Sequence, residues 1–154
     1  MKERLYTVPR KRAPGAAKER MDRAKGKLLV ARQPLPEGGY WEDLCFMAHQ
    51  AAELGIKAIY RIDDRPSAYV NDLAFLLHGL ERKGVNVPPG VRDAVRPTIY
   101  ATQLRHPGTS GFATTADRAN ALRAAEAVVA WAEGIIGGRL AVGSASLRSP
   151  CALT

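Results

Sequence analysis

The segment YWEDLCFMAHQAAELGIKAIYRI, residues 40–62, decides the fold class of this chain. It contains no proline, and its apolar residues recur at the three- and four-residue spacing of a helix. Two adjacent rows result, Leu44, Met47, Ala51, Leu54 and Ala58 in one and Cys45, Ala48, Ala52, Ile56 and Ile59 in the other. A helix that is apolar over so much of its circumference belongs in the middle of a bundle. Gly55 costs this helix about 1 kcal/mol relative to alanine, which the close packing of a neighbour would explain.

Four further helical segments follow from the spacing of apolar residues and from the proline and glycine residues between them. They run from residue 16 to the prolines at 34 and 36, over 67–83, over 88–106 and over 114–136. No segment shows the alternation of a β-strand. The sequence therefore predicts an all-α fold, an antiparallel, up-and-down bundle of four to five helices.

Particular residues predict where several of these helices begin and end. Gly84 should end the third helix, and the glycine pair at 137–138 should end the fifth. Pro97 should kink the fourth segment or split it in two. Thr114, followed three residues later by Asp117, resembles a helix N-cap with an acidic residue in the first turn.

Basic residues are concentrated at the N-terminal end of the chain. The formal net charge is +8, and residues 1–27 carry ten Lys or Arg against three Asp or Glu, which leaves only +1 for the remainder. A basic, flexible arm over residues 1–15 could meet RNA phosphates, or could be only a solubilising lead-in to the first helix. The predicted organisation is this arm, a helical bundle over residues 16–138 and a tail over residues 139–154.

Several classes of protein are excluded by what the sequence lacks. No apolar run approaches the roughly 18 residues of a membrane span, and none follows the basic N-terminus as in a secretory signal, so the cytoplasm is expected. Cys45 and Cys151 cannot form a disulfide framework, and Cys45 is expected to be a buried free thiol. Neither a metal-binding set nor a phosphate-binding glycine loop can be assembled, so no metal and no cofactor are predicted.

Three polar side chains interrupt the apolar helix at 40–62. Gln50, Glu53 and Lys57 are spaced by three and four residues, so they lie on one helix face. Polar groups on a central helix cost free energy unless they are partnered. The three are therefore candidate ligand-binding residues, or they hydrogen-bond Arg105 across the bundle, or they are a structural strip that contains only an intrahelical Glu53–Lys57 ion pair.

A second candidate site lies in LRHPGTSGF, residues 104–112, where an arginine precedes a histidine at a predicted helix end. Adjacent residues do not face each other on a helix, but Arg105 and His106 could both line a pocket where the helix gives way to a loop. A guanidinium and the free backbone groups of a helix terminus suit an anionic or polar ligand. The alternative is that Arg105 satisfies helix-end carbonyls and His106 packs in the turn before Pro107.

Three motifs occur in an order and spacing similar to those of a known family. They are a long opening helix with RAKGKLLVARQ, the segment MAHQAAELGIKAIY at 47–60, and LRHPG at 104–108, with His106 in the place of a tyrosine. Over residues of about 16–137 the chain resembles the HEPN domain, a helical bundle named for nucleotide binding in higher eukaryotes and prokaryotes. Leu54, where a lysine often stands, and Asn71, where a histidine is common, depart from the family pattern.

The resemblance implies several functions rather than one. Some members look like metal-independent RNases with an Arg, four to six residues and then a His, but no Arg stands five to seven positions before His49, His78 or His106. The expectation is therefore a non-catalytic module that binds a nucleotide, a similar ligand or a partner protein. The alternatives are a toxin–antitoxin component that acts with a small nucleotidyltransferase partner, and an RNA-binding or RNase-like module. The resemblance also implies a homodimer.

Overall fold

The computed structural model describes residues 15–68, 70, 72–98 and 113–147. They form α1 (Gly15–Ala31), α2 (Trp41–Ile62), α3 (Leu73–Arg82), α4 (Pro89–Val95), a 3₁₀ turn (Arg96–Thr98) and α5 (Thr115–Leu147). No strand occurs in this part of the chain, so the predicted all-α fold is confirmed.

Helix α2 is the central element of the bundle and packs along both α1 and α5. At its start Glu42 contacts Ala113, just before α5, and after its end Asp63 pairs with Arg139, so α2 and α5 run in the same direction. Two ion pairs join α1 to α5, Lys25 with Glu133 and Arg32 with Glu126, so residue numbers rise along α1 as they fall along α5. Helix α1 is therefore antiparallel to both, while α3 packs on α2 and α4, and α4 packs on α5.

The core forms around α2, as the apolar pattern of that helix predicted. Residues of both predicted rows are buried, although Met47 and Leu54 are only half-buried. Gly55 faces α5, and a Cβ atom placed on it would lie 3.6 Å from Ala132 Cβ and 3.6 Å from Val128 Cγ1, which is ordinary van der Waals contact. An alanine would fit at this distance, so the packing of α5 does not require glycine here and the predicted reason for it is not confirmed.

Three predicted helix boundaries are present in the structure. The Asp117 N–H donates to Thr114 Oγ1 at 3.1 Å and the Thr114 N–H donates to Asp117 Oδ2 at 2.8 Å, which is a reciprocal capping box. Gly84 follows α3 in the left-handed conformation, with φ at 87°, as glycine commonly does after a helix. Pro97 lies in the 3₁₀ turn that follows α4, so the α-helix of the fourth segment ends at Val95, and residues 99–106 lie outside the described part.

The predicted start of the third helix was wrong. Helix α3 begins at Leu73 rather than at residue 67. Asp72 is its N-cap, since the Oδ1 atom accepts the N–H of Phe75 at 3.1 Å. An acidic side chain that satisfies a free N–H group fixes the helix start more strongly than the general apolar spacing does.

The predicted end of the fifth helix was also wrong, because α5 continues through the glycine pair at 137–138 to Leu147. Glycine weakens a helix by only about 1 kcal/mol, so tertiary contacts can override it. Here Ile136 is buried, and Arg139 pairs with Asp63 at the end of α2. The division into arm, bundle and tail stays a prediction, since residues 1–14 and 148–154 lie outside the described residues.

Tyr60 joins the end of α2 to α3 through a buried hydrogen bond. Its hydroxyl donates to the Leu76 carbonyl oxygen at 2.7 Å, and its burial raises the pKa of the phenol above the usual value. The ammonium of Lys83 lies 4.9 Å from the centroid of the ring. A Cβ atom on Gly79 would lie 2.3 Å from the Tyr60 hydroxyl oxygen, so only glycine fits beside it.

We predict that Gly79→Ala lowers the free energy of unfolding by about 1–3 kcal/mol, because the new methyl group overpacks a buried site. Adding Tyr60→Phe, which removes the colliding oxygen, should restore part of the loss. Gly134→Ala is the control, because a Cβ atom there would meet nothing within 4 Å and should stabilise the exposed helix position. Urea denaturation measures all of these variants. A Gly79→Ala variant as stable as the Gly134→Ala variant would show that this contact is not the constraint.

Candidate functional site

The three polar residues predicted on the central helix share one half-buried face. The Lys57 Nζ atom lies 2.6 Å from Glu53 Oε1, so the predicted intrahelical ion pair is present. The side chains of Lys57 and Glu53 are only 14% and 19% exposed. One turn earlier, Gln50 Oε1 accepts a hydrogen bond of 2.6 Å from Lys27 Nζ of α1. The structure thus brings Gln50, Glu53 and Lys57 together, whereas Arg105 and His106 lie outside the described residues.

Apolar side chains flank these polar groups. Met47 and Leu54 lie on the same half-buried face, and the inner part of each packs against the core. We call the combined surface the α2 strip; it consists of Met47, Gln50, Glu53, Leu54 and Lys57. Half-buried apolar groups around a closed ion pair make a surface of mixed polarity with no unbalanced charge of its own.

The closed ion pair determines which ligands the α2 strip can attract. Lys57 already has a carboxylate at hydrogen-bonding distance, and both groups are largely withdrawn from water. A phosphate that approached Lys57 would have to displace Glu53 or lie beside its negative charge, and like charges at short range repel strongly. The described part of the strip therefore suits a partner of mixed polarity better than an isolated anion.

Among the described residues, Cys45 and His49 are further titratable groups that are buried in the bundle. Cys45 is a buried free thiol, as predicted, and burial, followed by the charges of Asp117 and Glu42, raises its pKa to about 11. A thiol with so high a pKa is a poor nucleophile at neutral pH. His49 is 7% exposed on α2, and His78 is exposed on α3.

Sequence reasoning missed Arg118, which connects three helices at one end of the bundle. Its Nη2 atom donates to the carbonyl oxygens of Ala31 and Gln33 at 3.0 Å each, and its guanidinium lies 5.8 Å from the Trp41 ring centroid. A positive charge in the first turn of a helix is unfavourable, because the N-terminal end of the helix dipole is also positive. The position of Arg118 was therefore the one sign in the sequence that its guanidinium has a partner outside α5. Beside it, Glu42 accepts the Ala113 N–H at 2.9 Å and so fixes the entry into α5.

Two negative findings apply to the described residues. They contain no group of three His, Cys, Asp or Glu side chains that could hold a metal ion. None of their helices is both long enough and apolar enough to cross a membrane.

Comparison with known proteins assigns the family. A family model described as HEPN domain matches residues 17–135, which is most of the chain, so the chain belongs to the HEPN domain family. In fold it is similar to ST0689, an archaeal HEPN homologue, with 18% identity and a TM-score of 0.58 over 78% of this chain and 97% of that one. The chain also matches an HEPN domain protein from Thermotoga maritima, with 21% identity and a TM-score of 0.38 over 85% of this chain and 96% of that one. No curated protein matches the chain.

We predict that the Glu53–Lys57 pair adds little net free energy to folding, because the attraction between the two charges only offsets the cost of burying them. Lys57→Met alone should cost about 1–2 kcal/mol of unfolding free energy, because it leaves a largely buried carboxylate unpaired. The double variant Glu53→Gln/Lys57→Met should recover most of that loss, since both charges are gone. Removal of the Glu19–Arg23 pair, whose side chains are 65% and 69% exposed, should change stability by less than about 0.5 kcal/mol. A double variant less stable than Lys57→Met would contradict this prediction.

Proposed function

We propose that this HEPN protein is a non-catalytic module that binds a partner protein through the α2 strip. The observation that carries the proposal is the Glu53–Lys57 ion pair, which is largely buried on the same helix face as two half-buried apolar side chains, Met47 and Leu54. The centre of a protein interface has this composition: apolar contact area, few charges and polar groups that are already paired. A partner that covers the strip gains apolar burial without having to neutralise a charge.

The same geometry argues against a nucleotide as the ligand of the strip. Nucleotide phosphates are held by cations or backbone N–H groups that have no competing anion beside them. Lys57 is the one cation of the α2 strip. Its Nζ atom already lies 2.6 Å from the Oε1 atom of Glu53, which is an anion that would compete with a phosphate. Lys27, the nearest lysine that α1 contributes, donates to Gln50.

The class of partner follows from the family resemblance and not from the geometry. The resemblance makes a small nucleotidyltransferase the first partner to test, and a toxin–antitoxin role would depend on that pairing. The proposal does not require catalysis by this chain. An unrelated protein bound at the same strip would leave the binding function intact and would change only the identity of the partner.

The binding function predicts opposite results for two titrations. A small nucleotidyltransferase from the same genome should bind the wild type, and Glu53→Ala/Lys57→Ala should weaken that binding at least tenfold, as measured by calorimetry. The exposed pair Glu19→Ala/Arg23→Ala is the matched control, because it has the same i, i+4 spacing on α1 and should leave the affinity unchanged. Titration with ATP, GTP or AMP should give the same heat of binding for the wild type and for Lys57→Ala. Nucleotide binding that disappears with Lys57→Ala would overturn the proposal.

The absence of the family's Arg–His spacing predicts that the protein does not cleave RNA by the metal-independent route. Labelled RNA should remain intact with the purified protein in the presence of EDTA. The variant Arg105→Ala/His106→Ala tests the second candidate site in the same assay. Cleavage that survives EDTA and is lost in this variant would show that residues 104–112 form an active site.

A further inference from the structure

A groove between α3 and α4 forms a second surface, which shares no lining residue with the α2 strip. The two helices are joined by a short connection, residues 83–88, so they run antiparallel. Next to this connection Arg92 Nε lies 2.9 Å from Glu81 Oε1, and the ion pair closes that end of the groove. The groove therefore opens at its other end, toward Ala74 of α3 and Arg96 after α4.

The inside of the groove is apolar. Its floor consists of two core residues, Leu77 of α3 and Val95 of α4. Ala74 lies one turn before Leu77 on the same face of α3 and is exposed, so the open end carries only a small side chain. The methylene groups of Arg96 extend the apolar wall. The volume of the groove is about 280 Å³, which holds on the order of ten non-hydrogen atoms at the roughly 30 Å³ of a liquid water molecule.

The residues that line the groove carry two positive charges and one negative charge. Arg92 is held in place, because it pairs with Glu81 and its Nη2 atom donates to the Val87 carbonyl oxygen at 3.1 Å. Arg96 is held loosely: its Nη2 atom lies 3.9 Å from Asp93 Oδ1, and the two side chains are 79% and 73% exposed. A pair so exposed to water contributes little, so the guanidinium of Arg96 is free to turn to a ligand.

We infer that this groove binds a small monoanion, an apolar chain that ends in one carboxylate. The chain lies over Leu77 and Val95, and the carboxylate at the open end accepts from the guanidinium of Arg96, whose planar fork matches both oxygens. His78 is exposed and also lines the groove, where its imidazole can donate a further hydrogen bond. One excess positive charge balances one carboxylate, whereas a phosphate dianion would keep a negative charge close to Glu81.

The experiment titrates the full chain, labelled at its leucine and valine methyl groups, with sodium octanoate and follows the NMR signals. For a ligand of this size in an open groove, a dissociation constant on the order of 1 mM is expected. The methyl signals of Leu77 and Val95 should shift, and those of Val129, between α1 and α5, should not. The uncharged 1-octanol should bind about fivefold more weakly or worse. Octanoate that shifts Val129 as much as Val95, or octanol that binds as tightly as octanoate, overturns the inference.

Two exposed positions test the cation and the apolar groove separately. Arg96→Gln should weaken octanoate binding about fivefold and leave octanol binding unchanged, whereas Ala74→Leu fills the open end and should weaken both. Arg82→Gln is the matched control, because Arg82 is an exposed arginine of α3 outside the lining of the groove. Circular dichroism checks that each variant is folded, and Arg96→Lys should retain most of the binding. Equal losses in Arg96→Gln and Arg82→Gln would indicate a general effect of net charge and would overturn the inference.

The same carboxylate chemistry has two sources, a free acid and the C-terminus of a peptide. A short peptide that ends in leucine, with a free or an amidated C-terminus, distinguishes them in the same titration. A free acid as the ligand predicts that octanoate binds at least as tightly as the free peptide. A peptide ligand predicts that the free form binds about tenfold more tightly than octanoate and loses this affinity on amidation. A peptide that shifts the Val95 signal equally in both forms contradicts recognition of a carboxylate.

Discussion

The burial of the apolar side of α2 is the constraint on which the rest of the structure depends. A helix with two adjacent apolar rows is stable in water only when neighbours cover both. Helices α1 and α5 supply that cover. Two polar contacts keep α1 and α5 in place against α2. Arg118 at the start of α5 donates to the Ala31 carbonyl oxygen at the end of α1. Asp63, just after α2, pairs with Arg139 of α5.

The same constraint gives the polar residues of α2 their significance. A charge on a central helix must be paired, and the Glu53–Lys57 pair meets that requirement within the helix itself. The pairing leaves a face that is polar but electrically balanced, with Met47 and Leu54 beside it. Such a face is suited to another protein surface more than to a phosphate.

Local patterns in the sequence predicted the parts of the fold that depend on local interactions. The apolar rows of α2, the capping box at Thr114 and Asp117 and the left-handed Gly84 each need only residues within a few positions of one another. The continuation of α5 through two glycines could not be predicted in this way. Just beyond those glycines, Arg139 pairs with Asp63, 76 positions earlier in sequence, and local spacing does not indicate such a contact. The placement of Gln50, Glu53 and Lys57 on one face was predictable from helix geometry, whereas the Lys27 contact with Gln50 needed the arrangement of α1 against α2.

The most direct test of the binding face is the NMR spectrum of methyl-labelled methionine. Met47 belongs to the α2 strip, while Met21 is 3% exposed in the core and serves as an internal control. Addition of the small nucleotidyltransferase should shift or broaden the Met47 methyl signal and leave that of Met21 in place, and ATP should move neither. A Met47 signal that ATP shifts, or that remains unchanged while the partner binds, would contradict the assignment of the α2 strip as a protein-binding surface.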